Sequence, residues 1–282
     1  MRGKLKVMDY PIIDLHTHLR SNSEIAKHTK IAKQNGLDIV VYMANSQPPL
    51  DSVKRIKQSL KVKRHCQALP VAAITKGLAG KELVDVDKIK PLVVGFSDDG
   101  KYLDDLALLE KALKQNILIL AHCSPAYEVG IKKPCLETTF VKKYLRVLEK
   151  TGGTLHIQHI SKKSTVTLVR DAKNKGLQFT CETCPHYFTY TASDLDVKVN
   201  PPLGNNEDIM AIRQGLAYGT IDVIASDYAP EPRITGLAGF RSFLPLCYSL
   251  VLQGVLTKQQ LKEKLYLNPK KLIESGGYKL KI

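Results

Sequence analysis

Two histidines, His16 and His18, follow the apolar run Pro11-Ile12-Ile13, with Asp14 just before them and Arg20 just after. Alternate side chains of a β-strand share a face. Asp14, His16, His18 and Arg20 therefore line up on one side if the strand continues that far. Two imidazoles about 7 Å apart by strand rise can grip one divalent metal ion. A chance strand end gives the same pair, so the weight of the reading rests on what the other strands carry.

Eight short runs qualify as strands: Ile12–His16, Ile39–Met43, Ala68–Ile74, Leu92–Phe96, Ile117–Ala121, Leu155–His159, Gln178–Cys181 and Val223–Ser226. Between most of them lie stretches of helical periodicity, such as Glu24–Gln34, Leu103–Lys114, Lys142–Lys150 and Ser164–Lys175. Asn35-Gly36 and Thr151-Gly152-Gly153 punctuate helix ends, and Arg241 to Ile273 forms two or three more helices. Alternating strands and helices in this number predict an α/β fold, a (β/α)8 TIM-type barrel, as one catalytic domain over residues 1–282.

Such barrels gather their chemistry at the C-terminal ends of the strands. Metal-capable and polar residues occur at those places: His16 and His18, Asn45, Asp98 and Asp99, His122, His159, and Asp227. Neutral imidazoles and carboxylates suit zinc or a similar divalent ion. One metal needs three or four ligands; five or six point to two metals about 3.5–4 Å apart that share a carboxylate and a water nucleophile. A nearby carboxylate must then move a proton from nucleophile to leaving group. Asp227 is the natural candidate, and the reaction class is metal-assisted hydrolysis. Arg20 projects into the same mouth, where its planar fork would hold a carboxylate of the substrate together with Asn45. Spacing alone does not choose between Asp98 and Asp99, nor between His156 and His159, although His159 lies nearer the strand end.

Composition narrows the class. The 282 residues are 44% hydrophobic and 24% charged, an ordinary globular balance. No apolar run approaches the roughly 18 residues of a membrane span. The start of the chain is basic and polar, and the apolar stretch behind it is cut short, so a secretory signal is not expected. Six cysteines in this length make no disulfide scaffold, and the single CxxC of Cys181 and Cys184 has no second pair to complete a zinc site. Reduced thiols and a cytoplasmic location are the expectation. The net charge of +15 comes from lysines spread along the chain. It suits an anionic substrate or an acidic partner, and better still a solvated lysine-rich surface. Nucleic-acid binding is not expected.

With these residues in view, the chain resembles the amidohydrolase superfamily and, within it, the dihydroorotases. The resemblance runs over nearly the whole chain through Asp14-Leu-His-Thr-His-Leu-Arg20, Met43-Ala-Asn-Ser-Gln-Pro-Pro49, Ile74-Thr-Lys-Gly77 with Gly80-Lys-Glu82, and Phe96-Ser-Asp-Asp-Gly100. It continues through His122-Cys123, His156-Ile-Gln-His-Ile-Ser161, Cys181-Glu-Thr-Cys-Pro-His186, Val199-Asn-Pro-Pro-Leu203 and Ser226-Asp-Tyr-Ala-Pro230. It implies reversible closure of N-carbamoyl-L-aspartate to L-dihydroorotate in pyrimidine synthesis, with a metal-bridging hydroxide as nucleophile. It implies two zinc ions per chain, another divalent metal being the alternative. His16 and His18 would hold the more buried ion with Asp227, and His122 and His159 the second. Asp99 would bridge them where many relatives use a carboxylated lysine; no lysine ends strand 4 here. Arg20 and Asn45 match residues that hold the substrate carboxylate, and Asn200 matches a contact to the pyrimidine ring. The resemblance leaves aspartate transcarbamoylase and a second copy of this chain as candidate partners.

The chain departs from the family pattern after strand 8. Asp-His-Ala-Pro-His is replaced by Asp227-Tyr228-Ala-Pro-Glu231. A glutamate there repels a substrate carboxylate unless its loop turns away. The stretch from Glu231 to Gly236 is also short, with Arg233 or Arg241 as compensating charges. The small β-sandwich of many relatives is not expected. Two other readings stand beside the first. One is another cyclic amidohydrolase of hydantoinase or allantoinase type, which the Asp-Asp-Gly segment disfavours. The other is a catalytically silent homologue acting as a structural partner of the transcarbamoylase.

Overall fold

A computed structural model describes residues 8–124, 136–195, 197–230 and 237–280. Eight strands run parallel in chain order: β1 (Ile13–Thr17), β2 (Ile39–Tyr42), β3 (Gln67–Ala72), β4 (Gly95–Phe96), β5 (Leu118–Ala121), β6 (Thr154–Ile157), β7 (Thr180–Thr183) and β8 (Val223–Ile224). The last strand returns to the first through a parallel bridge of Thr17 with Tyr228 and the His18 N–H donating to the Tyr228 carbonyl at 2.7 Å. This is the expected (β/α)8 barrel, closed at its ends by single bonds rather than a full ladder.

Helices α1 (Asn22–Gln34), α2 (Val53–Leu60), α3 (Val86–Ile89), α4 (Leu106–Leu113), α5 (Glu137–Thr151), α6 (Lys163–Asn174), α7 (Asn206–Ala217) and α8 (Phe240–Leu252) surround the strands, followed by α9 (Lys258–Lys262) and α10 (Asn268–Ser275). The α7 start is written in the sequence as a capping box: the Asn205 side chain accepts from the Asp208 N–H, and the Asp208 carboxylate accepts from the Asn205 N–H. No helix among the described residues is long and apolar enough to cross a membrane.

Strand alternation divides the core in two. Val41, Met43, Leu69, Val71, Leu118 and Leu120 join one apolar cluster. Val40, Tyr42, Ala68, Ala72, Ile119 and Ala121 join another, which also takes in helix residues such as Ile56, Leu109, Val141 and Val169. The second is the layer between strands and helices, so the first is the barrel interior. Gly95 serves that closeness, since a methyl on it would lie 2.9 Å from the Leu118 carbonyl oxygen of β5.

β1 departs from strict alternation. Asp14 pairs with Val40 and Thr17 with Tyr42, three residues of β1 set against two of β2. Such a shift re-aims the side chains that follow it. The Asp14 carboxylate accepts from the Ser226 N–H at 2.9 Å beside β8, whereas His16 reaches Glu182 on β7. The two side chains therefore do not share one face, contrary to what a regular strand predicts. Asp14 is fully buried, and burial pushes its carboxyl up to about 7.

Candidate active site

The strand ends converge on one carboxylate. Asp99 Oδ2 lies 3.2 Å from His16 Nε2 and 3.3 Å from His18 Nε2. Its other oxygen, Oδ1, lies 3.0 Å from His122 Nδ1. That nitrogen is 2.7 Å from His159 Nε2. Asp227 Oδ1 closes the first side, at 2.9 Å from His18 Nε2 and 3.5 Å from His16 Nε2. Donor atoms of His16, His18 and Asp99 all fall within 4.8 Å of one another, and so do those of Asp99, His122 and His159.

The two pairs left open by spacing differ in where the structure puts them. Asp98 turns away to the chain after β3, where it accepts from the Ile74 and Thr75 N–H groups at 2.8 and 3.0 Å and from the Thr75 hydroxyl. His156 sits within β6 and faces Glu182 and Thr180, at 3.1 and 2.7 Å. His159 and Asp227 adopt positive φ, 36° and 50°, as does Arg20 at 52°. Non-glycine residues in that region store strain, a cost of about 1–3 kcal/mol each that functional sites often carry.

The remaining expected residues line the same end. Asn45 Oδ1 is 2.9 Å from His18 Nδ1, and its amide nitrogen donates to the Asp99 carbonyl at 3.3 Å. Asn200 lies 3.2 Å from His122 Nε2 and accepts from the Ser124 hydroxyl at 2.9 Å. Arg20 is half-buried, and its carbonyl accepts from the Gln47 N–H at 2.6 Å. Tyr228, where the resemblance implies a histidine, turns into the wall. Its ring stacks on Phe240 at 3.7 Å and its hydroxyl meets His28 Nδ1 at 2.8 Å. Arg241 is exposed at the start of α8. Glu231 and Arg233 lie outside the described residues.

Sequence reasoning missed Glu182. It is fully buried, 2.7 Å from His16 Nδ1 and 3.1 Å from His156 Nε2. Its one signal was an acid inside the Cys181-Glu-Thr-Cys184 segment. The cysteines of that segment are free and buried, as are Cys66, Cys123 and Cys247.

Electrostatics favour a cation here. Burial alone would raise the Asp99 carboxyl, but His16, His18 and His122 outweigh it and hold it well below the usual carboxylate range. Asp227 is likewise held down against burial by His16 and His18. Burial opposes protonation of His16, yet Asp99 and Asp227 push it well up. Burial, with His122 and His16, drives His159 down to about 3. The acids thus draw in positive charge while His159 stays a neutral donor, and a divalent ion meets both demands. The donor set fits such an ion. Cys184, His186 and Asp227 form a third close group. Burial pushes the Cys184 thiol well above its ordinary value, which keeps it protonated and a poor ligand.

No protein-family model matches the chain. A dihydroorotase of Trichlorobacter lovleyi is 32% identical to it over 314 residues, covering 96% of this chain and 74% of the relative. Among solved structures, the L-hydantoinase (dihydropyrimidinase) from Arthrobacter aurescens aligns with a TM-score of 0.81 at 18% identity, over 94% of this chain and 71% of that one. The inactive dihydroorotase-like domain of the Chaetomium thermophilum CAD-like multifunctional protein aligns with a TM-score of 0.70 at 19% identity, over 93% of this chain and 79% of that one. At such identities the two structures speak for the fold alone.

Proposed function

Because this chain belongs to the dihydroorotase family, we propose that its His/Asp cluster interconverts N-carbamoyl-L-aspartate and L-dihydroorotate. The observation that carries the reading is Asp99, one oxygen of which faces His16 and His18 while the other faces His122, which in turn neighbours His159. Zinc is the ion this donor chemistry suits best, two per chain. His16, His18 and Asp227 would hold one and His122 and His159 the other, with Asp99 common to both. Bound there, the ions polarise the reacting carbonyl and bring the pKa of water toward neutrality.

The residues of the chain supply the rest. Asp227 is ionised and stands at the mouth of β8, so it can take up a proton. In ring opening it receives the proton of the attacking water and passes it to the ring nitrogen as the C–N bond breaks. In ring closure it carries the proton from the carbamoyl nitrogen to the departing oxygen. Arg20 would fork onto the substrate carboxylate. Asn45 and Asn200 would reach the substrate by exchanging bonds they now make inside the protein.

Arg20→Met is expected to act on binding. Losing hydrogen bonds to a charged group costs about 1.5–3 kcal/mol, a rise in KM of roughly 10- to 100-fold with a smaller effect on kcat. Steady-state kinetics check this, and an unchanged KM would argue against carboxylate capture by Arg20.

The proposal is tested on the purified chain by measuring bound metal and turnover in both directions. The assay is repeated with aspartate transcarbamoylase added. Turnover by the chain alone supports the reading, and turnover only with the added protein would show that the partner completes the site. Bound metal without turnover in either assay would overturn it.

A further inference from the structure

The four histidines of the cluster differ in what holds their far ring nitrogens. His18 Nδ1 meets the neutral amide of Asn45 at 2.9 Å. His122 Nε2 meets the neutral amide of Asn200 at 3.2 Å. His159 Nδ1 is buried with no hydrogen-bond partner among the described residues. Among the described residues, only His16 is backed by a carboxylate, Glu182 Oε1 at 2.7 Å, with both side chains at 0% exposure. We propose that Glu182 is a positioning residue that fixes the His16 tautomer and strengthens the cation held by His16 and His18, leaving the cation at His122 and His159 largely untouched.

The hydrogen-bond bookkeeping has one consistent solution. A carboxylate only accepts, so the His16 proton sits on Nδ1 and donates to Glu182 Oε1. With a cation in place of the second proton, the His16 Nε2 lone pair points at the space between Asp99 and Asp227, 3.2 and 3.5 Å away. The second Glu182 oxygen accepts from His156 Nε2 at 3.1 Å, and His156 Nδ1 accepts from the Thr180 hydroxyl at 2.7 Å. The bonds from Thr180 through His156 on one side and from His16 on the other thus converge on Glu182, which leaves His16 Nε2 as the donor atom. The Gln158 amide nitrogen, 3.2 Å from the same Nδ1, is itself a donor and cannot accept that proton. A carboxylate behind a ligating imidazole raises its basicity, and removing such a partner typically costs about 10- to 100-fold in metal affinity. The same logic sets the neighbouring amide. If His122 gives Nδ1 to a cation, its Nε2 carries the proton, so the Asn200 amide must turn over from the orientation in which its nitrogen faces that Nε2 and its oxygen faces Ser124.

The inference rests on the metal reading of the cluster, and one experiment separates the two. The full chain, stripped of metal, is titrated with Co2+ against a chelating indicator while the cobalt absorption band is followed. Wild type is compared with Glu182→Gln, in which Gln satisfies both imidazoles if His156 reverses its tautomer. Thermal unfolding without metal is read in parallel. The variant is expected to bind one cobalt about 10- to 100-fold more weakly, with an altered band, and the other unchanged. Should Glu182→Gln unfold, Glu182→Asp replaces it, and its loss must fall on the same cobalt. Equal weakening of both ions, or none, would overturn the assignment. Absence of cobalt binding in wild type would overturn the metal reading itself.

Discussion

Asp227→Asn is expected to lower turnover in both directions by on the order of 10²–10⁴-fold, the usual share of a positioned acid–base group, while the chain stays folded. The substitution keeps the size of the side chain. The backbone at 227 has φ 50°, a region that asparagine tolerates well. The change therefore falls on charge and proton affinity. An amide cannot take a proton from water at neutral pH, nor return one to a ring nitrogen. Because Asp227 Oδ1 also lies 2.9 Å from His18 Nε2 among the donors, metal content must be measured beside kcat. Lost turnover with metal retained supports the proton role. Lost turnover that recovers fully when metal is resupplied in excess would recast Asp227 as a ligand only. Activity within tenfold of wild type would remove it from both roles.

Much of the site was legible because a parallel barrel converts sequence into position. Each strand ends at the same face, so an apolar run followed by histidine or aspartate marks a residue of that face wherever it falls in the chain. His122 and His159 follow β5 and β6 in this way, and Asp227 follows β8. Adjacent alternatives were not legible. Asp98 and Asp99 differ by one position, and what separates them is that the Ile74 and Thr75 N–H groups claim Asp98. The β1 bulge was hidden for a similar reason, since register is a relation to β2 that no local pattern carries. Glu182 was hidden because β7 offers almost no apolar signal; in Thr180–Thr183 only Cys181 is apolar. Tyr228 shows the converse: the resemblance implied a histidine there, and the tyrosine ring packs on Phe240.

Asp99→Asn is expected to be the more damaging change, because a single residue is shared by both halves of the site. One Asp99 oxygen faces His16 and His18 and the other faces His122. In the variant one of those sides meets an NH2 group, which has no lone pair to offer. The charge that draws cations to the cluster also falls by one. Metal content is expected to drop from two ions per chain to one or fewer, with turnover down at least roughly 10³-fold, as when a main electrostatic element of an active site is removed. Asp98→Asn is the internal control. It is one residue away, also buried, and bonded to the Ile74 and Thr75 N–H groups and the Thr75 hydroxyl rather than to histidine. Weakening those bonds costs about 1–3 kcal/mol of stability and is expected to lower the melting temperature while leaving metal content at two. Elemental analysis and thermal unfolding of the two variants side by side decide the matter. If Asp98→Asn sheds metal and Asp99→Asn keeps it, the shared carboxylate has been misassigned, and the two-ion reading fails with it.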